Sequence, residues 1–231
     1  MGRGVAALAC AAALLSAAPA AAQDPLEGVN RRIHAFNRLA QAHALGPAAE
    51  AYHAYTTPGQ RRAVANLFAN LREPVTAASA LAAGETGTAL NAARRFAINT
   101  TLGRAGTEDR AEALGHPPRP FTLADAACAW RLPAGPYLVL PLLGPSTLRD
   151  AAALAATGAA LQGLVGPEAW LGLSTGEALV AYAGLHAELN RVEAQSLDAY
   201  AVIRSAYLQG RASMCPADRV PGDADPAEDA P

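Results

Sequence analysis

One stretch of the sequence has the pattern of a catalytic nucleophile. The pattern G-x-S-x-G centres on Ser174 and is typical of hydrolases, in which the serine lies on a sharp strand-to-helix turn. That chemistry needs an acid and then a histidine downstream, whereas here His186 comes before Asp198. A helix N-cap at Ser174, with Glu177 reaching back to it, accounts for the same residues. The sequence favours the cap, and a lipase or esterase that uses Ser174 is the alternative.

Other chemical patterns are missing from the sequence. The histidines show no spacing that is typical of metal ligands, and there is no phosphate-binding P-loop. We therefore predict no metal and no cofactor. The formal net charge of −2 argues against a nucleic-acid-binding protein, in which a basic face is expected. The histidines are His34, His43, His53, His116 and His186.

An uninterrupted apolar run from Tyr137 to Leu143 is the most unusual stretch of the chain. Gly-Pro pairs lie on both sides of it, Gly135-Pro136 and Gly144-Pro145, and Pro141 lies inside it. Because proline lacks a backbone donor, a central β-strand is disfavoured. We predict an extended or kinked segment that protein or lipid must cover, followed by a helix capped by Ser146.

Arg149 and Asp150 begin the alanine-rich helix that follows, and two interpretations of them stay open. In the first they form a local ion pair, with the acidic charge favourable in the first helical turn. In the second they are polar groups beside a lipid path, because ionisable groups next to lipid are costly and often functional.

The remaining sequence predicts a mainly α-helical protein with one domain from residue 23 to 215. Apolar residues recur at helical spacing, and Gly46-Pro47 should end the first helix. Pro74 should kink or break another helix. The polar, proline-rich residues 108–120 should form a surface excursion. The apolar run 151–165 is too short to span a bilayer. The predicted helices are 30–44, two within 48–82, then 86–102, 146–165, 175–190 and 198–212.

The two ends of the chain have compositions of their own. Residues 1–22 read as a secretory signal peptide, with Arg3, an apolar region and an A-x-A cleavage site. Residues 216–231 are acidic and rich in proline, which predicts disorder.

Several motifs resemble those of the MlaA (VacJ) family of Gram-negative outer-membrane proteins. The stretch from Gly135 to Asp150 matches the family pattern G-P-Y-x-V-L-P-x-x-G-P-S-x-x-R-D, and further motifs match from Asp24 to Arg211. The match fails from Phe121 to Trp130, where the family's acidic motif is absent. The matched residues that the resemblance assigns to a lipid path or to family motifs are Asn30, Phe36, Asn37, Asn66, Asn70, Glu73, Pro74, Asn99, Gly135, Pro136, Tyr137, Pro141, Gly144, Pro145, Arg149 and Asp150.

The resemblance implies a bundle of amphipathic helices that forms a ring-like body in the inner leaflet of the outer membrane. Such a protein removes mislocalised phospholipid from the outer leaflet and passes it to a periplasmic carrier. It associates with a porin trimer and performs no covalent chemistry. A purely structural outer-membrane interaction protein is a further alternative.

The cysteines predict a disulfide and no lipid anchor. Most relatives carry a lipidated cysteine at the end of the signal peptide, but Cys10 lies too early in the apolar region for that role. After cleavage only Cys128 and Cys215 remain, in an oxidising compartment where disulfides persist. Two unpaired or buried thiols are the alternative.

Overall fold

The computed structural model describes residues 24–215 and Asp218. The predicted signal peptide with Cys10, and the predicted tail apart from Asp218, lie outside the described residues. The fold is mainly α-helical, as predicted. The helices are α1 (Glu27–Ala40), α2 (Gly46–Tyr55), α3 (Pro58–Ala82), α4 (Thr86–Thr101), α5 (Arg110–Ala113), α6 (Leu123–Ala129), α7 (Leu148–Val165), α8 (Pro167–Gln195) and α9 (Ala199–Met214).

The chain stays helical between α1 and α2, so the predicted stop at Gly46-Pro47 is wrong. A π-helical turn, Gln41–Leu45, joins the two helices, and the Gly46 amide donates to the Gln41 carbonyl. Pro47 falls in the first turn of α2, where its missing N–H costs little. A side chain at position 46 would lie 2.7 Å from the Gln41 oxygen, so glycine is required there.

Helix α3 is not broken at Pro74, so of the predicted kink or break the break is wrong. Thr57 and Gln60 form a capping box at its start, and the helix then runs through the proline to Ala82. Pro74 is exposed, and α3 packs side by side with α4 along its length. This tertiary packing offsets the loss of one backbone hydrogen bond.

The apolar stretch is extended, as predicted, and it forms the first strand and the turn of a β-hairpin, which the sequence did not predict. Strand β1 is Tyr137–Leu140 and strand β2 is Gly144–Thr147, antiparallel, with Leu140 opposite Gly144. Pro141 lies in the turn, where no ladder bond is lost. Proline disfavours a central strand, whereas both strands of this two-stranded sheet are edge strands.

Two predicted helix starts are also wrong. Thr147 caps α7 by accepting from the Asp150 amide, while Ser146 is buried in β2. Helix α8 begins at Pro167, because Gly166 has a φ of 85° that ends α7 and the proline fits the first turn. Ser174 therefore lies inside a helix and caps nothing.

The interior is built mostly from small and polar residues. The cluster of buried large apolar residues contains Tyr137, Val139 and Tyr200. Among the described residues, no helix combines the length and hydropathy needed to cross a membrane.

Candidate functional site

Asn30 and Asn37 hold the hairpin against α1. The Asn30 amide donates to the Tyr137 carbonyl (3.0 Å) and accepts from the Val139 N–H (2.9 Å). Asn37 makes the same pair of bonds to the Leu140 carbonyl (2.9 Å) and the Leu142 N–H (2.7 Å).

Each asparagine thus pairs with β1 and its turn much as a neighbouring strand would. The two residues are seven positions apart, which is two helical turns, so they project from one face of α1. Both are buried. Because an amide side chain offers one acceptor and two donors, it can satisfy both backbone groups at once. We call these two residues the asparagine clamp.

Aromatic rings cover the other side of the hairpin. Tyr137 packs edge-on against Tyr200 and Tyr207, with centroids 6.2 and 6.1 Å apart. Arg31 lies 4.4 Å above the Tyr200 ring and pairs with Asp198. The hydrogen bonds from Arg31 lower the pKa of Asp198 to about 2. Tyr200 of α9 thus contacts both Tyr137 of β1 and Arg31 of α1, and the Arg31–Asp198 pair joins α1 to the start of α9.

Arg149 and Asp150 belong to a buried ion cluster that joins α6, α7 and α9. The Arg149 guanidinium binds Asp150 (3.0 Å) and both carboxylate oxygens of Asp218 (2.9 and 2.6 Å). Arg211 bridges Asp125 (2.7 Å) and Asp150 (2.9 Å). The local ion pair of the first interpretation is present, and it is one part of a larger network.

Tyr207 completes this ion cluster. Its hydroxyl donates to the Asp150 carboxylate at 2.6 Å, and burial together with this bond raises the pKa of Tyr207. Burial opposes ionisation of Asp125, but hydrogen bonds from Thr122 and Arg211 outweigh it and lower the pKa of Asp125. The Asp125 carboxylate is therefore held ionised opposite Arg211.

A disulfide lies next to the ion cluster. Cys128 and Cys215 are bonded, with Cα atoms 6.0 Å apart. The Arg149 guanidinium is 3.7 Å from the Cys215 sulfur. The bridge attaches the end of α9 to α6, the helix that precedes the hairpin.

A second buried cluster joins α3, α4 and the segment after α4. Arg95 donates to Glu73 (2.5 Å) and to Asp109 (2.8 Å). Asn99 accepts from the amides of Arg110 and Ala111, both at 2.9 Å. The predicted surface excursion 108–120 is therefore wrong at its start, because Asp109 is tied to this cluster.

The pKa values within this second cluster shift in opposite directions. Burial raises the pKa of Glu73, although Arg95 opposes the shift. Burial also disfavours the charge on Asp109, but bonds from Arg95, Glu112 and Asn99 outweigh it and lower the pKa of Asp109. Arg95 thus contacts two carboxyl groups, that of Asp109 with a lowered pKa and that of Glu73 with a raised pKa.

Two asparagines of α3 bind α4 and the loop that follows it. Asn66 donates to the Thr107 carbonyl (3.1 Å), and Asn70 donates to the Thr100 hydroxyl (3.0 Å). A side chain on Gly106 would come within 2.5 Å of the Asn70 amide nitrogen. Asn66 and Asn70 therefore serve the α3–α4 packing and not the hairpin.

The glycines and prolines around the hairpin have separate roles. Gly135 and Gly144 have φ values of 71° and 86°, in the left-handed region that favours glycine. The Pro136 carbonyl accepts from the Leu148 amide at 3.1 Å, and Pro145 pairs with Val139 in the sheet.

Phe36 and Pro74 lie outside the buried clusters. Both are exposed, and Phe36 shares the outer surface with many other large apolar side chains. Examples are Val29 and Leu39 on α1, Leu142 and Leu143 in the hairpin turn, Leu154 and Leu164 on α7, and Leu171 and Leu173 on α8.

Ser174 is not placed for catalysis. Its hydroxyl donates to the Leu171 carbonyl of its own helix at 3.2 Å. His186 lies twelve residues further along the same helix, which is roughly 18 Å at 1.5 Å per residue. The imidazole instead contacts the Tyr182 hydroxyl at 2.9 Å.

Sequence reasoning missed the partners that complete the two ion clusters. The missed residues are Arg95, Asp109, Asp125, Tyr207, Arg211 and Asp218. Arg211 and Asp125 are 86 residues apart in sequence, so spacing gives no sign of their contact. Their charge at apolar helical faces was the available signal, because buried charges need partners.

Most of the chain is similar to known proteins. A model of the MlaA lipoprotein family matches residues 22–214. The intermembrane phospholipid transport system lipoprotein MlaA of Escherichia coli is 31% identical over 193 residues, 80% of this chain and 76% of that protein. An uncharacterized protein of Rickettsia felis is 33% identical over 127 residues, 55% of this chain and 51% of that protein. The chain thus spans about half the length of this second relative.

A solved structure has the same fold. It comes from work on the structural basis for maintenance of bacterial outer membrane lipid asymmetry. The superposition has a TM-score of 0.70 and 27% sequence identity, and it covers 84% of this chain and 99% of the other.

Proposed function

Because the chain belongs to the MlaA lipoprotein family, we propose that it transports phospholipid at the Gram-negative outer membrane. In this proposal it removes mislocalised phospholipid from the outer leaflet and so maintains lipid asymmetry. The E. coli relative carries the name of an intermembrane phospholipid transport protein, which supports this assignment.

One observation carries the proposal: charged side chains are buried in the interior, whereas many large apolar side chains are exposed on the surface. Arginines and carboxylates are buried in two clusters, whereas Leu142 and Leu143 of the hairpin turn are 58% and 60% exposed. Extended exposed apolar surface marks contact with protein or membrane. The alanine-rich α7 and the first half of α8 add further exposed leucines.

The body of the protein then lies in the inner leaflet with its apolar side chains in lipid. We propose the ring-like arrangement with an amphipathic channel that the family resemblance implies. The asparagine clamp and the ion cluster around Arg149 hold the hairpin and α7 in fixed positions beside that path.

Transport of this kind needs no covalent step, so we propose that the protein is not an enzyme. Ser174, the candidate nucleophile, lies in mid-helix and far from His186. If Ser174 were catalytic, Ser174→Ala would abolish ester hydrolysis by the purified protein. We expect no hydrolysis above background from either form.

The proposed partners follow from the route of the lipid. A soluble periplasmic carrier would receive the phospholipid, and an outer-membrane porin trimer would hold the protein in the leaflet. Crosslinking in intact cells, followed by mass spectrometry of the crosslinked proteins, tests both partners.

Extraction of bound lipid tests the function and separates it from a structural outer-membrane role. The full chain is purified in detergent, the bound lipid is extracted, and its amount per chain is measured by mass spectrometry. We expect phospholipid in a fixed ratio that survives detergent exchange. Loss of all phospholipid on exchange would favour the purely structural role.

A further inference from the structure

An apolar groove lies between α6 and α7, beside the hairpin. Its volume is about 400 Å³, within the range of roughly 300–1,000 Å³ that is typical of small-molecule pockets. The groove is separate from the asparagine clamp and from the cluster around Glu73. Its walls include Leu123, Ala127, Trp130, Leu132, Leu148 and Ala152.

The surface that the groove presents to a ligand consists mainly of carbon atoms, and its polar side chains are already hydrogen-bonded within the protein. The Trp130 indole N–H already donates to the Ala82 carbonyl at 3.1 Å. Arg149 also borders the groove, but its guanidinium is bound to Asp150 and Asp218. Because a buried polar ligand group would go unpaired here, the groove suits a hydrocarbon chain.

The mouth of the groove is apolar as well. Three of its lining residues are about half exposed: Trp130 (50%), Leu132 (47%) and Leu148 (54%). An acyl chain could therefore pass from the apolar outer surface into the groove across these three apolar side chains.

Between two of these lining residues in the sequence, Arg131 has a backbone conformation that ordinarily favours glycine. Arg131 follows the end of α6 with a φ of 58°. Its N–H bonds to the Cys128 carbonyl (2.7 Å) and the Leu132 N–H bonds to the Ala127 carbonyl (3.0 Å). This is a Schellman helix end, where glycine is the usual residue.

Arg131 is exposed, and within the part of the chain that the structure describes it makes no ion pair. It lies between Trp130 and Leu132, which both line the groove. A phosphate at the mouth would therefore meet a positive charge, while the chain attached to it enters a neutral apolar groove.

We propose that the groove binds one acyl chain of a phospholipid, with the lipid phosphate at Arg131. This inference rests on the proposed transport function and assigns it a binding site.

Fluorescence quenching of Trp130 tests the proposal. The chain has two tryptophans, so Trp170→Phe in the full-length protein leaves Trp130 as the only reporter. Phosphatidylglycerol with brominated acyl chains is titrated into the protein in detergent. We expect saturable quenching at one lipid per chain, reversed by the unbrominated lipid.

Two substitutions probe the two halves of the site. Ala152→Phe fills the groove and should weaken quenching at least tenfold, whereas Ala160→Phe, on an exposed part of α7 outside the groove, should not. Arg131→Gly suits the left-handed backbone and should keep the fold. It should weaken binding by about two- to fivefold at low salt, as expected for an exposed charge pair, and Arg131→Lys should retain binding.

Brominated diacylglycerol, which lacks the phosphate, distinguishes hydrocarbon binding from phospholipid binding. We expect it to bind more weakly and to be insensitive to Arg131→Gly. Equal binding of both lipids would overturn the phosphate contact, and quenching unaffected by Ala152→Phe would overturn the groove. If phospholipid co-purifies but Trp130 is not quenched, the site is wrong and the transport function stands.

Discussion

At the scale of single residues, buried amide and charged side chains hold the elements together, a role that large apolar side chains have in most proteins. Asn30 is 1% exposed and bonds to two backbone groups of β1. Asn37 does the same at the turn. Because the hairpin has only two strands, these bonds replace those of a third strand.

The asparagine clamp can be tested by Asn30→Ala. The substitution removes two hydrogen bonds in a buried position, to the Tyr137 carbonyl and to the Val139 N–H, which should lower the free energy of unfolding by about 3 kcal/mol. Denaturant unfolding in detergent measures the change. Asn190→Ala on the exposed face of α8 is the matched control and should cost little. Equal losses in both variants would contradict the clamp.

His34 should make stability depend on pH. Burial lowers the pKa of His34 below its ordinary value of 6.5, although Glu193 at 3.3 Å opposes the shift. The unfolded chain therefore binds the proton at a higher pH than the folded chain does. The free energy of unfolding should fall as the pH drops below about 6.5 and level off below the folded pKa.

Thermal unfolding between about pH 7 and pH 5 measures this slope. His34→Gln should flatten it, whereas His43→Gln, at an exposed position, should leave it unchanged. A slope that persists in His34→Gln would assign the pH dependence to another group.

At the scale of elements, the sequence located most helices but not their connections. Periodic apolar residues predicted α3 and α4 to within a few residues. Two predictions based on proline were wrong, because Pro141 lies in a turn where no ladder bond is lost and Pro47 lies in the first turn of α2, where its missing N–H costs little. The ion clusters could not be predicted, since they pair residues such as Arg211 and Asp125 from distant parts of the chain.

Gly144 tests the hairpin turn as an element. Its φ is 86°, and a Cβ there would meet no atom within 4 Å, so any cost comes from the backbone alone. Gly144→Val should destabilise the turn and impair lipid handling, whereas Gly144→Asn should be tolerated better. Detergent sensitivity of cells at equal protein level is the measurement, with Gly163→Val in α7 as the control. Normal resistance in Gly144→Val would show that the turn conformation is dispensable.

The disulfide joins elements across 87 residues of sequence. In the chain-entropy model a loop of this length stabilises the fold by roughly 4–5 kcal/mol, although measured values are often smaller. We expect no reactive thiol in denatured, unreduced mature protein of monomeric mass. Two reactive thiols per chain would refute the bridge. Cys128→Ala with Cys215→Ala should lower the unfolding midpoint.

At the scale of the whole molecule, exposed apolar surface is expected to attach the protein to the membrane without a lipid anchor. Signal cleavage before Gln23 would remove Cys10, so the mature mass should carry no acyl chains. The protein should still fractionate with the outer membrane. A diacylglyceryl adduct on Cys10, seen by intact-mass measurement, would overturn this proposal.

The central claim is that the protein clears phospholipid from the outer leaflet. The most direct measurement labels surface-exposed phospholipid in a Gram-negative strain that lacks its own family member and expresses this chain. We expect the labelled phospholipid to fall to the wild-type level with the intact chain and to stay high with Gly144→Val at equal abundance. Unchanged outer-leaflet phospholipid in cells that contain the folded, intact protein would contradict the account.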